Sequence, residues 1–417
     1  MTTHGMFSSR WWIVFASVMG LIGGGSMTVF VFSVFIRPVT EEFGWSRGQF
    51  GGALGLSSLV GAIALPLFGR AFDKYGIRNV LLPVIVGFAL ATASLALLQP
   101  SLAMLFALYM VVGFFGAGQS PVPYSKAIAG WFDDHRGFAL GLAIAGSGLG
   151  TALMPILAQS LTSAYGWRVG YAGLGVAFLI VAFPAVALLM REAPHVERAK
   201  VDPAVLPGVT ARAALKSGRF WIMAVAFLCG ITPVNGVITQ GIALLTDRGM
   251  AVQAAAGVLG ISGAVVVCSR LIAGYCIDRV HAPLVGASFF GVSMIGVIIL
   301  ATGAVGTSAV IGTALCGVAV GAEVDLMGFL ISRYFGLRAF GTIFGYIFMV
   351  LPIGVGAGSA LMGITYDHAH SYEPMLIAFI VMMALACVLL LRLGAYLYPR
   401  QAAAGEAPRG LQPASVN

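Results

Sequence analysis

Apolar residues run through this chain in blocks of about twenty, separated by short polar punctuation, and twelve such blocks can be marked: 11–36, 50–68, 80–98, 102–124, 138–161, 171–190, 220–245, 252–277, 283–302, 305–329, 340–363 and 375–397. Crossing the hydrocarbon of a bilayer as a helix takes about 20 apolar residues. Each block therefore predicts one membrane span, and the chain is expected to be an all-α membrane protein. The alternating ten-residue segments of a membrane β-barrel are absent.

Polar interruptions organise the blocks. The first block carries Gly20, Gly23, Gly24, Gly25 and Ser26, small residues that allow close approach of a neighbouring helix. The fourth is interrupted by Gly113, Gly116, Gly118, Pro121 and Pro123. A broken helix frees backbone groups toward a cavity, and Gln119, Ser120 and Tyr124 add side-chain partners there. After the second block, Gly69, Arg70, Asp73, Lys74, Gly76 and Arg78 predict a charged tight turn.

The long polar stretch 191–219, with Arg191, Arg198, Lys200, Arg212, Lys216 and Arg219, divides the blocks into two sets of six. The expected organisation is a first bundle over 1–190, a central loop over 191–218, a second bundle over 219–398 and a disordered tail over 399–417. The halves echo each other. Gly69 and Asp73 recur as Gly274 and Asp278, offset by 205 residues, and Trp131-Phe132, Arg136 and Phe138 recur as Tyr334-Phe335, Arg338 and Phe340, offset by about 203. Recurrence at nearly one offset indicates a duplicated six-helix unit.

Composition agrees, at 59% hydrophobic, 9% charged and a mean hydropathy of +0.97. The net charge of +8 has a topological explanation. With both termini inside, only Arg37, Arg47, Arg168 and Arg248 fall outside and Arg270 within a span, leaving the other Lys and Arg on the cytoplasmic side, where cations collect. No nucleic-acid partner is needed. Trp45 is an interfacial anchor, and the first block is too long for a signal sequence. Cys229, Cys268, Cys276, Cys316 and Cys387 lie in spans without metal-ligand spacing. The GSGLG of Gly146, Gly148 and Gly150 lacks a preceding strand and reads as helix packing, so no cofactor is expected.

Arg270 is the charge to explain. Val266, Val267, Leu271 and Gly274 surround it, and a mid-bilayer charge costs roughly 2.5–3.5 kcal/mol on insertion scales. It is either a ligand for an anion or a structural cation paired with Glu323 or Asp325, the acids within the tenth block. Those two are about 15 and 12 Å deep by helical rise from Arg333 and roughly 200° apart, so at most one faces a cavity squarely. They are candidates for proton coupling, Glu323 first, or they neutralise nearby arginines. Asn235, Gln240 and Tyr346, with Gln119 and Tyr124, are further candidate substrate-binding residues.

Six plus six spans, a basic central loop, and Gly69, Asp73, Lys74, Gly76 and Arg78 in the pattern G-x-x-x-D-[KR]-x-G-x-[KR] resemble the major facilitator superfamily over nearly the whole chain. The segments SVFIRPVTEEFGWSRGQF, YSKAIAGWFDDHRGFALG and CSRLIAGYCIDR are similar to the branch holding monocarboxylate porters and oxalate:formate antiporters. That resemblance implies an alternating-access transporter in which Arg270 binds a substrate carboxylate. It also implies a gating role for Arg37 and for the cluster of Asp73, Arg70, Lys74, Arg78, Asp278 and Arg279. Two departures stand out: the eleventh block has no lysine, and Val266 replaces the acid expected one turn before Arg270. One cation suits a monoanion, carried by proton symport or exchange. The expected setting is an inner membrane, as a monomer with cytoplasmic termini. Efflux of drugs or metabolites is the alternative reading, with a membrane sensor a third.

Overall fold

A computed structural model describes residues 10–45, 47–193 and 206–398; the expected tail, most of Arg191–Arg219's first half, and the side chain of Arg47 lie outside the described residues. The helices are α1 Trp11–Ile22, α2 Gly25–Phe43, α3 Arg47–Tyr75, α4 Ile77–Ser94, α5 Leu102–Gly118, α6 Pro121–Trp131, α7 Arg136–Tyr165 and α8 Trp167–Leu189 in the first half. The second half has α9 Ala211–Lys216, α10 Gly218–Asp247, α11 Val252–Ile277, α12 Ala282–Ala301, α13 Gly306–Tyr334, α14 Phe340–Phe348, α15 Val350–Ala369 and α16 Glu373–Leu391. Eleven helices, with α5–α6 and α14–α15 each counted as one, are long and apolar enough to cross a membrane. The first span completes the twelve in two segments, α1 and α2.

Breaks fall where the sequence weakens the helix. α1 and α2 part at Gly23–Gly24, and α5 and α6 at Gln119–Ser120, just before Pro121. Proline fixes φ and lacks an N–H, so it starts a helix readily and cannot continue one undisturbed. The two breaks touch, because a Cβ on Gly24 would stand 2.8 Å from the Gln119 carbonyl oxygen. The expected tight turn over 69–78 is a correction: helix continues to Tyr75 and a single residue, Gly76 at φ +88°, turns the chain into α4. Asp73 therefore rides the last turn of a helix. Asp278, its counterpart, is the C-cap of α11.

Burial sorts the spans. The apolar window of α13 is 78% buried inside the protein, that of α8 only 28%, so α13 is interior and α8 faces lipid. The two bundles meet chiefly at two crossings, α3 with α14 and α7 with α11, with α13 touching α6 and α7 between them, all at the end where the described chain begins at Arg10 and finishes at Tyr398, called here the end of the termini. Backbones touch there. A Cβ on Gly341 would lie 2.7 Å from the Gly69 carbonyl oxygen, and one on Gly274 would lie 2.7 Å from that of Gly137. Gly345 packs on Leu65 and Gly141 on the Arg270 carbonyl in the same way. Small residues one turn apart permit such approach between membrane helices.

Farther from the termini, glycines on the same faces meet no neighbour among the described residues. Gly51 is five turns from Gly69 on one face of α3, and Gly263 three turns from Gly274 on one face of α11, at 100° per residue. A Cβ on either would meet nothing within 4 Å, nor would one on Gly55 or Gly260. The bundles thus diverge into a cleft that opens away from the termini. Behind it, the chain end of the central loop is strapped to the second bundle, with Val209 N–H donating to Phe335 O at 3.0 Å and Leu337 N–H to Pro207 O at 2.9 Å.

Candidate functional site

Arg270 is at the floor of the cleft. It is on nearly the same face of α11 as Gly274, one turn closer to the opening, and only 9% exposed. Its Nε donates to Gly321 O on α13 at 3.1 Å; its Nη1 donates to Ile144 O on α7 at 3.1 Å and approaches Ser147 Oγ at 3.5 Å. Of the two acids offered as its partner, Asp325 is the one within 4.0 Å, Oδ2 to Nε. That distance is too long for a hydrogen bond. One turn farther out, Val267 stands 4.0 Å from a Cβ on Gly148 of α7.

Why the guanidinium reaches the other bundle is a matter of small residues. Gly321 on α13 lets α11 settle against it, since any Cβ there would run into Ser269 and the Val266 carbonyl. Gly141 and Gly137 do the same for α7. Asp325 is fully buried, Glu323 is 4% exposed, and neither oxygen of Asp325 nor Oε2 of Glu323 has a hydrogen-bond partner among the described residues. One cation therefore stands beside two buried acids.

Toward the termini the bundles are tied by carboxylates on helix N-termini. Asp73 accepts from Gly341 N–H at 2.9 Å, Thr342 N–H at 2.7 Å and Thr342 Oγ1 at 2.6 Å, at the start of α14. Asp278 accepts from Gly137 N–H at 2.7 Å and Phe138 N–H at 2.9 Å, at the start of α7. Each acid, from one half, caps a helix of the other. Free N–H groups and the helix dipole favour an anion in this position. Lys126 adds an ion pair to Asp73 at 2.9 Å and donates to Phe72 O. Arg136 donates to Ser332 Oγ at 2.9 Å, and Arg333 pairs with Asp133 at 2.9 Å.

Other candidate residues are placed differently. Arg70, Lys74, Arg78 and Arg279 are exposed, with Lys74 over the Tyr75 ring and Arg279 over that of Tyr275. Arg37 is 80% exposed and pairs with Glu41 on its own helix, a contact worth little in water. Gln119 and Tyr124 bond each other at 2.8 Å against Gly20. Asn235 donates to Ile231 O of its own helix, Gln240 ties α10 to Ser359 on α15, and Tyr346 is half-buried on α14. None of these contacts joins them to Arg270.

The sequence reading passed over Lys126, Asp133, Ser147 and the acceptor carbonyls of Gly321 and Ile144. Lys126 had a signal, a lysine amid an apolar run. So did the helix starts: Gly137 and Gly141 match Gly341 and Gly345 at an offset of 204, two residues beyond the register that pairs Phe138 with Phe340, and the carboxylate contacts follow the 204 register. Replacing Lys126 by methionine is expected to destabilise the protein by on the order of 2 kcal/mol, since it leaves Asp73 short of its cation. Thermal unfolding in detergent, compared with the parent, checks this.

Two six-helix bundles parted by a cleft with a buried arginine at its floor define a membrane transporter. The model of the Major Facilitator Superfamily matches residues 14–350, and the chain belongs to that superfamily. An uncharacterized MFS-type transporter of Bacillus subtilis, YcxA, is 23% identical over 91% of this chain and 94% of its own. The oxalate:formate antiporter of Oxalobacter formigenes is 28% identical over 54% of this chain and 52% of its own. The chain thus spans about half of that relative's length. Among solved structures, the proton:xylose symporter XylE superposes with a TM-score of 0.75 at 15% identity, covering 94% of this chain and 97% of that one. These likenesses bear out the all-helical two-bundle fold and the expectation of a multi-pass transporter rather than an enzyme.

Proposed function

We propose that the protein is a secondary active transporter of small organic monocarboxylates, working by alternating access between its bundles, with Arg270 as the carboxylate ligand. The observation that carries this reading is the solvation of Arg270. Neutral carbonyl oxygens hold Nε and Nη1, and among the described residues no carboxylate lies within hydrogen-bonding distance of Nε, so the positive charge is available to an incoming anion. A guanidinium binds a carboxylate through paired N–H donors. A cation at the floor of a cleft, with no carboxylate hydrogen-bonded to its Nε among the described residues, also disfavours cationic drugs. The similarity to the oxalate:formate antiporter supports a carboxylate cargo. The stretch 340–369 contains no lysine or arginine, which favours a single carboxylate over two. In this reading the protein is a monomer in the inner membrane with its termini cytoplasmic, and the cleft opens outward.

The test is uptake by proteoliposomes of labelled formate, acetate, lactate, pyruvate, oxalate and an aromatic acid, with and without a pH gradient. Saturable uptake of monoacids, competed by one another and weakly by oxalate, is the expected result. Transport of an amine drug with no uptake of any acid would sink the proposal and favour efflux.

A further inference from the structure

The short helix α9 and the first turn of α10 form a basic ledge at the end of the termini. α9 spans only Ala211–Lys216, too few residues to be stable as an isolated helix. Contacts at both ends hold it. Thr210 Oγ1 accepts from Ala213 N–H at 3.3 Å as the N-cap, and just upstream the strap joins Pro207 and Val209 to Leu337 and Phe335. The strap depends on Gly336, which has φ +74° and on which a Cβ would run into the Pro207 carbonyl. At the other end Trp221 Nε1 donates to Leu215 O at 2.9 Å, folding the indole of α10 back onto α9. Ala214 is buried against the protein, while Arg212 and Lys216, one turn apart on the same face, are exposed and Arg219 is half-buried. Among the described residues no carboxylate lies within 4.0 Å of any of these three cations. Trp221 is 57% exposed, and Val225, one turn farther along α10, is 40% exposed. The bundles are in contact at this end, so that apolar stripe faces lipid.

We propose that this ledge binds the headgroup of an anionic phospholipid in the leaflet at the end of the termini, and that the bound lipid favours the present arrangement of the bundles. Both hold whatever the cargo is. The ligand is identified by two surfaces that meet at Trp221. Arg212, Lys216 and Arg219 attract a phosphate, and basic groups gathered at a membrane surface add to one another's attraction for anionic lipid. A zwitterionic lipid brings its own ammonium group to three cations; an anionic one does not. Below them, Trp221 and Val225 offer a track for an acyl chain, and a tryptophan ring at headgroup depth is a usual membrane anchor. An acidic peptide in solution would match the cations and leave that track unused. A phospholipid matches both.

The effect on the bundles follows from what α9 is joined to. Its strap partners are Phe335 and Leu337, and α14 begins three residues later at Phe340. The first N–H groups of α14, those of Gly341 and Thr342, are the ones that Asp73 of the other bundle accepts. A headgroup that holds α9 at the membrane surface therefore steadies the segment on which one of the two crossings closes. No residue has to change partner for this. The lipid stabilises the arrangement it binds more tightly, by the difference in its affinity for the two.

Quenching of Trp221 by brominated lipid tests the site. The protein is reconstituted in phosphatidylcholine with increasing fractions of dibrominated phosphatidylglycerol or dibrominated phosphatidylcholine, and subtracting the emission of Trp221→Phe in each background isolates the one indole. The parent is expected to favour phosphatidylglycerol by about tenfold at this position. Arg212→Gln, Lys216→Gln and Arg219→Gln combined should bring the preference to within about twofold of parity. Arg392→Gln, which removes an exposed cation beyond α16, should leave it unchanged. Equal quenching by the two lipids in the parent, or an undiminished preference in the triple variant, overturns the proposal. Salt supplies a check that needs no variant: at about 0.5 M, screening should lower the parent's preference at least threefold, and a preference indifferent to salt overturns the charge argument. The effect on the bundles is read with spin labels on exposed Tyr75 and Val280, one on each bundle at this end. Adding phosphatidylglycerol to phosphatidylcholine should raise the short-distance population roughly threefold in the parent and leave the triple variant unmoved. Distances in the parent that ignore phosphatidylglycerol overturn the claim that the lipid favours this arrangement.

Discussion

Arg270→Lys is expected to lose roughly 100-fold in the rate of monocarboxylate uptake while keeping the charge. The guanidinium reaches two helices at once, Gly321 O through Nε and Ile144 O through Nη1. A lysine ammonium, on a stem that ends sooner, can serve one of these and cannot offer a planar pair of N–H groups to a carboxylate. Truncating one partner of a buried, hydrogen-bonded charge pair costs about 2–5 kcal/mol, and 100-fold corresponds to about 2.7 kcal/mol. A purely structural arginine would behave otherwise. It would lower the unfolding temperature and leave substrate affinity alone in whatever protein survived. The check is therefore paired: uptake kinetics, and the upward shift in melting temperature on adding substrate to protein in detergent. Loss of the substrate-induced shift with the basal melting temperature within a few degrees supports the ligand role. An Arg270→Lys protein with parental uptake removes it.

Sequence alone carried the architecture, and the reason is physical. Spans are long because the bilayer is thick, and an apolar block of twenty residues reports that directly. Duplication was also legible, since Gly69 and Asp73 must recur as Gly274 and Asp278 if each half caps a helix of the other. Less legible was what those acids bind. Their partners are backbone N–H groups of Gly341, Thr342, Gly137 and Phe138, and a backbone donor leaves no mark on residue type beyond the glycine that lets it approach. Arg270 was conspicuous for a similar reason in reverse: a charge in an apolar run cannot be hidden. Its acceptors, two carbonyl oxygens, could belong to any residue. Helical periodicity put Glu323 and Asp325 on different faces and could not say which one turned toward α11; the packing of Gly321 against Ser269 and Val266 decides it in favour of Asp325.

The double substitution Asp73→Asn with Asp278→Asn is expected to shift the balance between bundle arrangements by roughly 100-fold toward opening at the end that carries the termini. Each aspartate brings a charge to the N-terminus of a helix in the opposite half and accepts two backbone N–H groups, and such partly buried helix-end charges are worth up to about 2 kcal/mol. Asparagine keeps one acceptor oxygen and loses the charge, so each change is expected to weaken its crossing by about 1–1.5 kcal/mol, or close to tenfold. The two sites share no residue, so their effects should add. Asp73 has Lys126 as well as its three donors, and removing its charge strands that lysine, so the single Asp73→Asn change should exceed Asp278→Asn. Spin labels on the exposed residues Tyr75 and Arg338, one on each bundle at this end, report the distance between bundles. Parent protein should give a short-distance population that the singles diminish and the double largely replaces by a longer one. Two singles of equal, negligible effect would mean that the glycine crossings of Gly69 with Gly341 and Gly137 with Gly274 hold this end shut by packing alone.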